Sequence, residues 1–193
     1  MADMNITKFK AAIDGKMRPN RYLVSGECPG FGKVPSLLVK AASYPAASIG
    51  IIQLPYRGRI AKMPGDRAYP EWTFSVYDTS SDGTEGGDLR KAFEEWNRTF
   101  NDHTTNIAEV SNFGGAAETG PDSPFPDWTV TLLDTAGTQV RTIRLKSCWP
   151  VEVGAIDLTY DAADTLTEYT VTLAFDYLEV GADTGSSGSG NGS

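Results

Sequence analysis

Two cysteines and one histidine are all that this 193-residue sequence offers to soft-metal or nucleophile chemistry. Cys28, Cys148 and His103 cannot supply the four ligands of a structural zinc site or a disulfide framework within one chain. There is also no second histidine with which to build a Ser-His or Cys-His arrangement, so no catalytic residue, no metal and no cofactor is expected. Cations are scarce: 17 Lys and Arg stand against 25 Asp and Glu, a net charge of −8. That balance argues against a sequence-independent grip on nucleic acid, which needs a basic surface. No run approaches the roughly 18 apolar residues of a membrane span, and the opening MADMNITKFK has no apolar stretch of signal-peptide type. A chain that folds in a cytoplasm and does not insert into a membrane is the expectation.

What is present fits an ordinary globular domain, with 40% hydrophobic and 22% charged residues. The pattern predicts one domain over residues 1–180 and a flexible tail over 181–193, where five glycines and four serines leave nothing to bury. Ile6, Phe9 and Ile13, bracketed by Asn5 and Gly15, predict a short N-terminal helix. Strand-like runs follow at Tyr22 to Gly26, Val34 to Ala41, Ile49 to Leu54 and Glu71 to Asp78. Others are Trp128 to Leu133, Val140 to Lys146, Ala155 to Tyr160 and Glu168 to Val180. Asp134-Thr135-Ala136-Gly137 reads as a hairpin turn with Gly137 at positive φ. Leu89, Phe93, Trp96 and Phe100 recur at helical spacing and define the core face of one central amphipathic helix capped by Asp88. Its outer face carries the pairs Arg90/Glu94, Lys91/Glu95 and Glu94/Arg98. Residues 103–126 form a long polar loop. The fold class is mainly β, an antiparallel β-barrel or sandwich with the central helix and the short N-terminal one.

The chemical clusters are weak. Asp78, Asp82, Glu85 and Asp88 lack the spacing of a calcium loop. Gly30-Phe31-Gly32 leads into a β-run, not into a helix that could hold a phosphate. Asp66 beside Arg67 reads as an ion-paired corner in a Gly65-Asp66-Arg67 turn. His103 falls just past the helix C-terminus. Trp72, Trp96, Trp128 and Trp149 read as core or interface anchors.

Several of these stretches, in order, resemble the tail tube proteins of contractile-tailed bacteriophages. Arg18-Pro19-Asn20 with Tyr22 to Val24 is similar to the family's opening, and Lys40-Ala41-Ala42-Ser43-Tyr44-Pro45 to its next element. Tyr56-Arg57-Gly58-Arg59-Ile60, Pro64-Gly65-Asp66-Arg67-Ala68-Tyr69 and Glu71-Trp72-Thr73 resemble its most recognisable block. Arg90 to Trp96 is similar to its helix. Cys148-Trp149-Pro150, Val153-Gly154 and Thr170 to Tyr177 resemble its closing block. The loop 103–126 and the Gly/Ser tail lie outside the resemblance.

The resemblance implies a non-enzymatic virion protein, assembled in the host cytoplasm. Its hexameric rings stack into the inner tail tube, and inner strands of neighbours join into a ring around a lumen. It implies as partners further copies of the chain, tail sheath, baseplate and tail terminator proteins, a tape-measure protein inside, and genomic DNA passing through without specific binding. Six copies at −8 bring −48 to a ring, a charge that would repel DNA from the wall. Ile49, Ile51, Leu54, Arg57, Arg59 and Lys62, within Ile49 to Met63, are the candidates for contact between rings or subunits. An internal hairpin with solvated arginines is the alternative for that segment. Asp157, Thr159, Asp161, Thr170, Thr172 and Asp176 are candidates for the lumen, though a polar face could equally be the outside. Cys28 and Cys148 read as small core residues, with an inter-subunit disulfide as the other option. Competing functions are the tube of a phage-like bacteriocin or contractile injection system, and a monomeric β-sandwich binding module using exposed tryptophans.

Overall fold

A computed structural model describes residues 5–13, 18–78, 89–108, 123–161 and 165–181. Helix α1 (Ile6–Ile13) begins where Asn5 Oδ1 accepts the Thr7 amide (3.1 Å), a side-chain cap on an otherwise orphan donor. The chain then enters β1 (Tyr22–Ser25), the short β2 (Glu27–Cys28) and β3 (Gly32–Lys33), a 3₁₀ turn at Ser36–Leu38, and β4 (Val39–Ala42). Two long strands follow, β5 (Ser48–Tyr56) and β6 (Arg59–Ala68), and then β7 (Trp72–Tyr77). Helix α2 (Leu89–Phe100) separates these from β8 (Trp128–Leu133), β9 (Gln139–Lys146), β10 (Trp149–Val153), β11 (Glu168–Ala174) and β12 (Tyr177–Val180).

Two four-stranded antiparallel sheets, ordered β1-β8-β9-β12 and β10-β11-β7-β4, make a sandwich. Period-two alternation puts Trp72, Phe74 and Val76 of β7 and Tyr169, Val171 and Leu173 of β11 inside. Val24, Trp128, Val130, Ile143 and Leu145 are buried on the other sheet. Trp128 is the hub between layers, with ring centroids 6.0 Å from Trp72, 5.1 Å from Phe74 and 6.2 Å from Phe93 of α2. On α2, Leu89, Phe93 and Trp96 are buried, and Phe100 packs on Phe125 and Trp149. Helix α2 is fixed along β10, where Asn97 Nδ2 donates to the Pro150 carbonyl and Arg90 Nη1 to the Gly154 carbonyl (both 3.0 Å). A proline in β10 is tolerable because this is an edge strand.

The sheets meet at a shared corner. Tyr177↔Lys146 pair in one sheet and Trp149↔Ala174 in the other, so β9-β10 and β11-β12 form one two-stranded ribbon bent across both layers. Ser147, at φ 56°, makes the bend on one strand, and the Asp176 amide donates to the Lys146 carbonyl (3.1 Å) opposite it. The run Glu168 to Val180, expected as one strand, is therefore two, broken at Phe175-Asp176. Four other expectations need correction. The Val34–Ala41 run is interrupted by the 3₁₀ turn. Ala155 to Tyr160 alternates but pairs with no strand among the described residues and is irregular. Gly65-Asp66-Arg67 is not a turn but lies inside β6, and among the described residues Asp66 and Arg67 form no ion pair. Glu94 bonds Arg90, whereas Arg98 turns to Asp102 (2.9 Å). The Asp134–Gly137 turn forms as expected, with Gly137 at φ 80°. Asp88, Asp82, Glu85, Gly15, most of the loop 103–126 and nearly all of the tail lie outside the described residues.

Asp102 closes the end of α2. It accepts the Thr105 hydroxyl (2.8 Å), the Thr105 amide (3.2 Å) and Arg98 Nε. The Thr105 hydroxyl foremost, and Arg98 after it, hold the Asp102 carboxyl down at about 2. A carboxyl depressed by folding stabilises above its unfolded pKa of about 4, and this contribution fades as pH falls from there through about 2. Asp102→Asn should therefore melt below the parent at pH 7, with the gap in Tm narrowing between pH 4 and pH 2. A gap of constant width would mean that Asp102 acts through shape and not charge.

Candidate assembly interface

Among the described residues, strands β5 and β6 pair only with each other, in register from Ser48↔Ala68 to Tyr56↔Arg59. They grow out of β4 and β7, neighbours at one edge of their sheet, and form an arm. At its tip Arg57 (φ 43°) and Gly58 (φ 83°) make a two-residue turn with both central residues at positive φ, the geometry that suits a twisted hairpin. Glycine is at ease there; arginine is not. Near the base Gly50 faces Gly65 and Asp66 across a bulge, and a Cβ on Gly65 would come within 3.2 Å of the Gly50 carbonyl. Ile49, Ile51, Ile52, Leu54, Tyr56, Ile60 and Met63 are all exposed. Arg57, Arg59 and Lys62 carry no ion pair among the described residues, and Arg57 lies over the Tyr56 ring. The structure thus brings all six contact candidates together on one protrusion, and adds Ile52, Tyr56, Ile60 and Met63.

The lumen candidates are not brought together. Thr170 and Thr172 lie on the outward face of β11 beside Thr73 and Ser75 of β7, with the Thr73 and Thr172 hydroxyls 3.3 Å apart. At the margin of that face Lys40 is bonded to Glu168, which raises the Lys40 pKa. Asp157, Thr159 and Asp161 sit in the irregular 154–161 segment, and Asp176 at the corner turn, all exposed. Asp157, Thr159 and Asp161 belong to no strand face because their segment has no ladder partner among the described residues.

Sheet edges are treated unequally. The edge of β10 is flanked by α2. The Tyr22 hydroxyl reaches from β1 to the Lys40 carbonyl of β4 (2.6 Å), and burial is the main cause that raises its pKa. Of the motif residues, Trp72 is buried with Nε1 donating to the Ser43 carbonyl (2.7 Å), and Pro150 is buried under α2. Trp149 is 37% exposed, an anchor only in part. Sequence reasoning missed Gly26 and Gly154. A Cβ at Gly26 would fall inside the Trp128 indole, and one at Gly154 within 2.4 Å of Thr170 Oγ1. A glycine beside a strand end was the only available signal. Cys28 and Cys148 are free and buried, and burial lifts the Cys28 thiol to about 12 and the Cys148 thiol further. Both sit inside the fold and neither reaches a surface where a second chain could bond it. Among the described residues no acidic, histidine or cysteine cluster converges as metal ligands do, and no helix is long and apolar enough to cross a membrane.

A sealed two-sheet core carrying a long, bare apolar arm defines a structural subunit made to be joined to others. Comparison with known proteins gives the family. The chain belongs to the phage tail tube protein family, whose model matches residues 32–180. It is 25% identical over 179 residues to the tail tube protein of Serratia phage KSP90, covering 88% of this chain and 93% of that one. It is 27% identical over 164 residues to tail tube protein gp19 of Enterobacteria phage T4, covering 84% and 90%. Among solved structures it is similar to a chain of the sheath/tube terminator of the extracellular contractile injection system PVC in its extended state. That match has a TM-score of 0.60 at 19% identity, over 88% of this chain and 99% of that one. A chain of the PVC sheath-tube complex gives 0.59 at 17%, over 90% and 96%. The role is that of an inner-tube building block, in a phage particle.

Proposed function

We propose that this chain closes into six-membered rings that stack helically into the conduit of a contractile tail. The observation that carries this reading is the arm Ser48–Ala68, which exposes apolar side chains and unpaired cations on a protein with an excess of acids. A two-stranded ribbon without a third element beside it is marginal in water, so it needs a partner. The arm joins ring to ring, with Ile49, Ile51 and Leu54 supplying area and Arg57, Arg59 and Lys62 seeking carboxylates of the next copy. The hydroxyl face of Thr73, Ser75, Thr170 and Thr172 lines the lumen, since it offers passing DNA no apolar patch and the cation at its margin, Lys40, is held by Glu168. Sheath, baseplate and terminator proteins bind outside and at the ends, and a tape-measure protein fills the lumen before DNA passes. Assembly takes place in the host cytoplasm.

Electron microscopy of the purified protein over a concentration series tests this. Hollow tubes or rings of six-fold symmetry are expected, by self-assembly or on baseplate seeds. A protein that stays monomeric with seeds present would sink the tube reading and leave the binding module.

A further inference from the structure

The four strands of the sheet β10-β11-β7-β4 contain one cation, Lys40, and two acids, Glu152 and Glu168. Period-two alternation sends Thr73, Ser75 and Tyr77 of β7 to the same outward face as Glu168, Thr170 and Thr172 of β11. Lys40 starts two strands away from Glu168, at the irregularity where Val39↔Val76 gives way to Ala41↔Ser75. Its side chain crosses β7 with the ammonium 5.8 Å from the centre of the Tyr77 ring and ends on the Glu168 carboxylate. Tyr77 and Glu168 are directly opposed in the ladder, so ring and carboxylate stand side by side along that reach. The cation is thus bonded to an acid and also placed over a π-face. Glu152, opposite Thr172, is left as the one charge of these strands without an ion pair among the described residues.

Resting on the tube reading above, with this face toward the lumen, we propose that Glu168 is a charge mask for the passage of DNA. By holding Lys40 down along the sheet it keeps the wall from gripping the phosphate backbone. A free lysine in each subunit would repeat around every ring and from ring to ring, and such a regular array of cations is what a sequence-independent hold on DNA requires. The acid excess of the whole chain does not cancel that hold. Exposed charges more than about 8–10 Å apart are largely screened at physiological salt, whereas Glu168 touches the ammonium itself. Both side chains are nearly half exposed, at 44% and 45%, and a pair of this kind adds little to stability. Its loss therefore changes the charge of the wall and spares the fold.

Glu168→Gln is assembled with an equal amount of wild-type chain, so that tubes do not depend on the variant alone. Co-sedimentation with a short linear DNA duplex is then measured from about 50 to 200 mM salt. Wild-type tubes are expected to carry down almost none. Mixed tubes should retain the duplex at least about tenfold more strongly at the low end, with retention falling by roughly 0.9 log unit per log unit of salt for each phosphate held. Adding Lys40→Met to Glu168→Gln should return retention to the wild-type level, and a small closed circular duplex, which has no end to thread, should stay in the supernatant. Equal retention of linear and circular DNA would put the released lysines outside the lumen and overturn the mask. So would the absence of any gain with Glu168→Gln, or a gain that persists without Lys40. Exclusion of the variant from the tubes would make the pair a joint between subunits and overturn the mask as well. All of these results leave the tubes standing, whereas wild-type protein that forms no tubes overturns the tube reading and the mask with it.

Discussion

Gly26→Ala is expected to destabilise the folded subunit by about 3 kcal/mol or more, at the upper end of what overpacking costs. The added Cβ would lie 2.1 Å from Cδ2 of Trp128 and 2.5 Å from Cε2 and Cε3, inside the indole itself. The ring cannot retreat, because it is 0% exposed and hemmed in by Trp72, Phe74 and Phe93. Its N–H finds no acceptor among the described residues, so packing alone fixes its place. For a domain of this size the change corresponds to a Tm lower by roughly 6–12 °C. Thermal unfolding followed by tryptophan emission reads it. Adding Trp128→Phe should recover part of the loss, since the two sites are coupled through direct contact. A Tm within about 2 °C of the parent would mean that the aromatic layer yields more easily than close-packed interiors do.

The second large effect concerns assembly and leaves the subunit intact. Ile52→Asp puts a carboxylate in the middle of one arm face, 50% exposed in the lone subunit and remote from the core. Burying the isoleucine contributes about 2–3 kcal/mol, and burying an unpaired carboxylate in its place costs more. At 1.4 kcal/mol per factor of ten, the critical concentration for tube formation should rise by about a hundredfold or more. The monomer Tm should not move. Sedimentation of tubes over a concentration series gives the first quantity and thermal melting the second. A variant that assembles like the parent would show that this face stays wet in the tube.

The parts of the fold legible in the sequence were those where a single segment carries its own instructions. Trp72 to Tyr77 and Glu168 to Ala174 alternate cleanly because one face of each is core. Helix α2 was readable from the spacing of Leu89, Phe93, Trp96 and Phe100. Strand β6 was not, because Pro64 and Gly65 disguise it as a turn and only the ladder to β5 makes it a strand. Residues 155–160 failed in the opposite direction. Ile156, Leu158 and Tyr160 alternate with polar residues, yet Leu158 and Tyr160 remain exposed, since alternation produces a strand only where a neighbour supplies hydrogen bonds. The arm proposed for assembly stands out in the sequence by composition, an apolar run mixed with Arg57, Arg59 and Lys62. Its division into two faces was not legible, because which residues share a face depends on register, and register depends on the turn at Arg57-Gly58.

The bent ribbon at the corner has a mechanical consequence. The chain crosses directly from one sheet to the other twice, through the two-residue links Ser147-Cys148 and Phe175-Asp176. The two layers are thus stapled by covalent chain and not only pressed together by their side chains. A load that tries to slide one sheet over the other must strain two backbones at once and shear the Lys146↔Tyr177 and Trp149↔Ala174 rungs on either side of the bend. Such rungs give way together and not one after another. A wall built of these subunits would transmit axial force as a stiff shell, with its compliance concentrated at the joints between subunits.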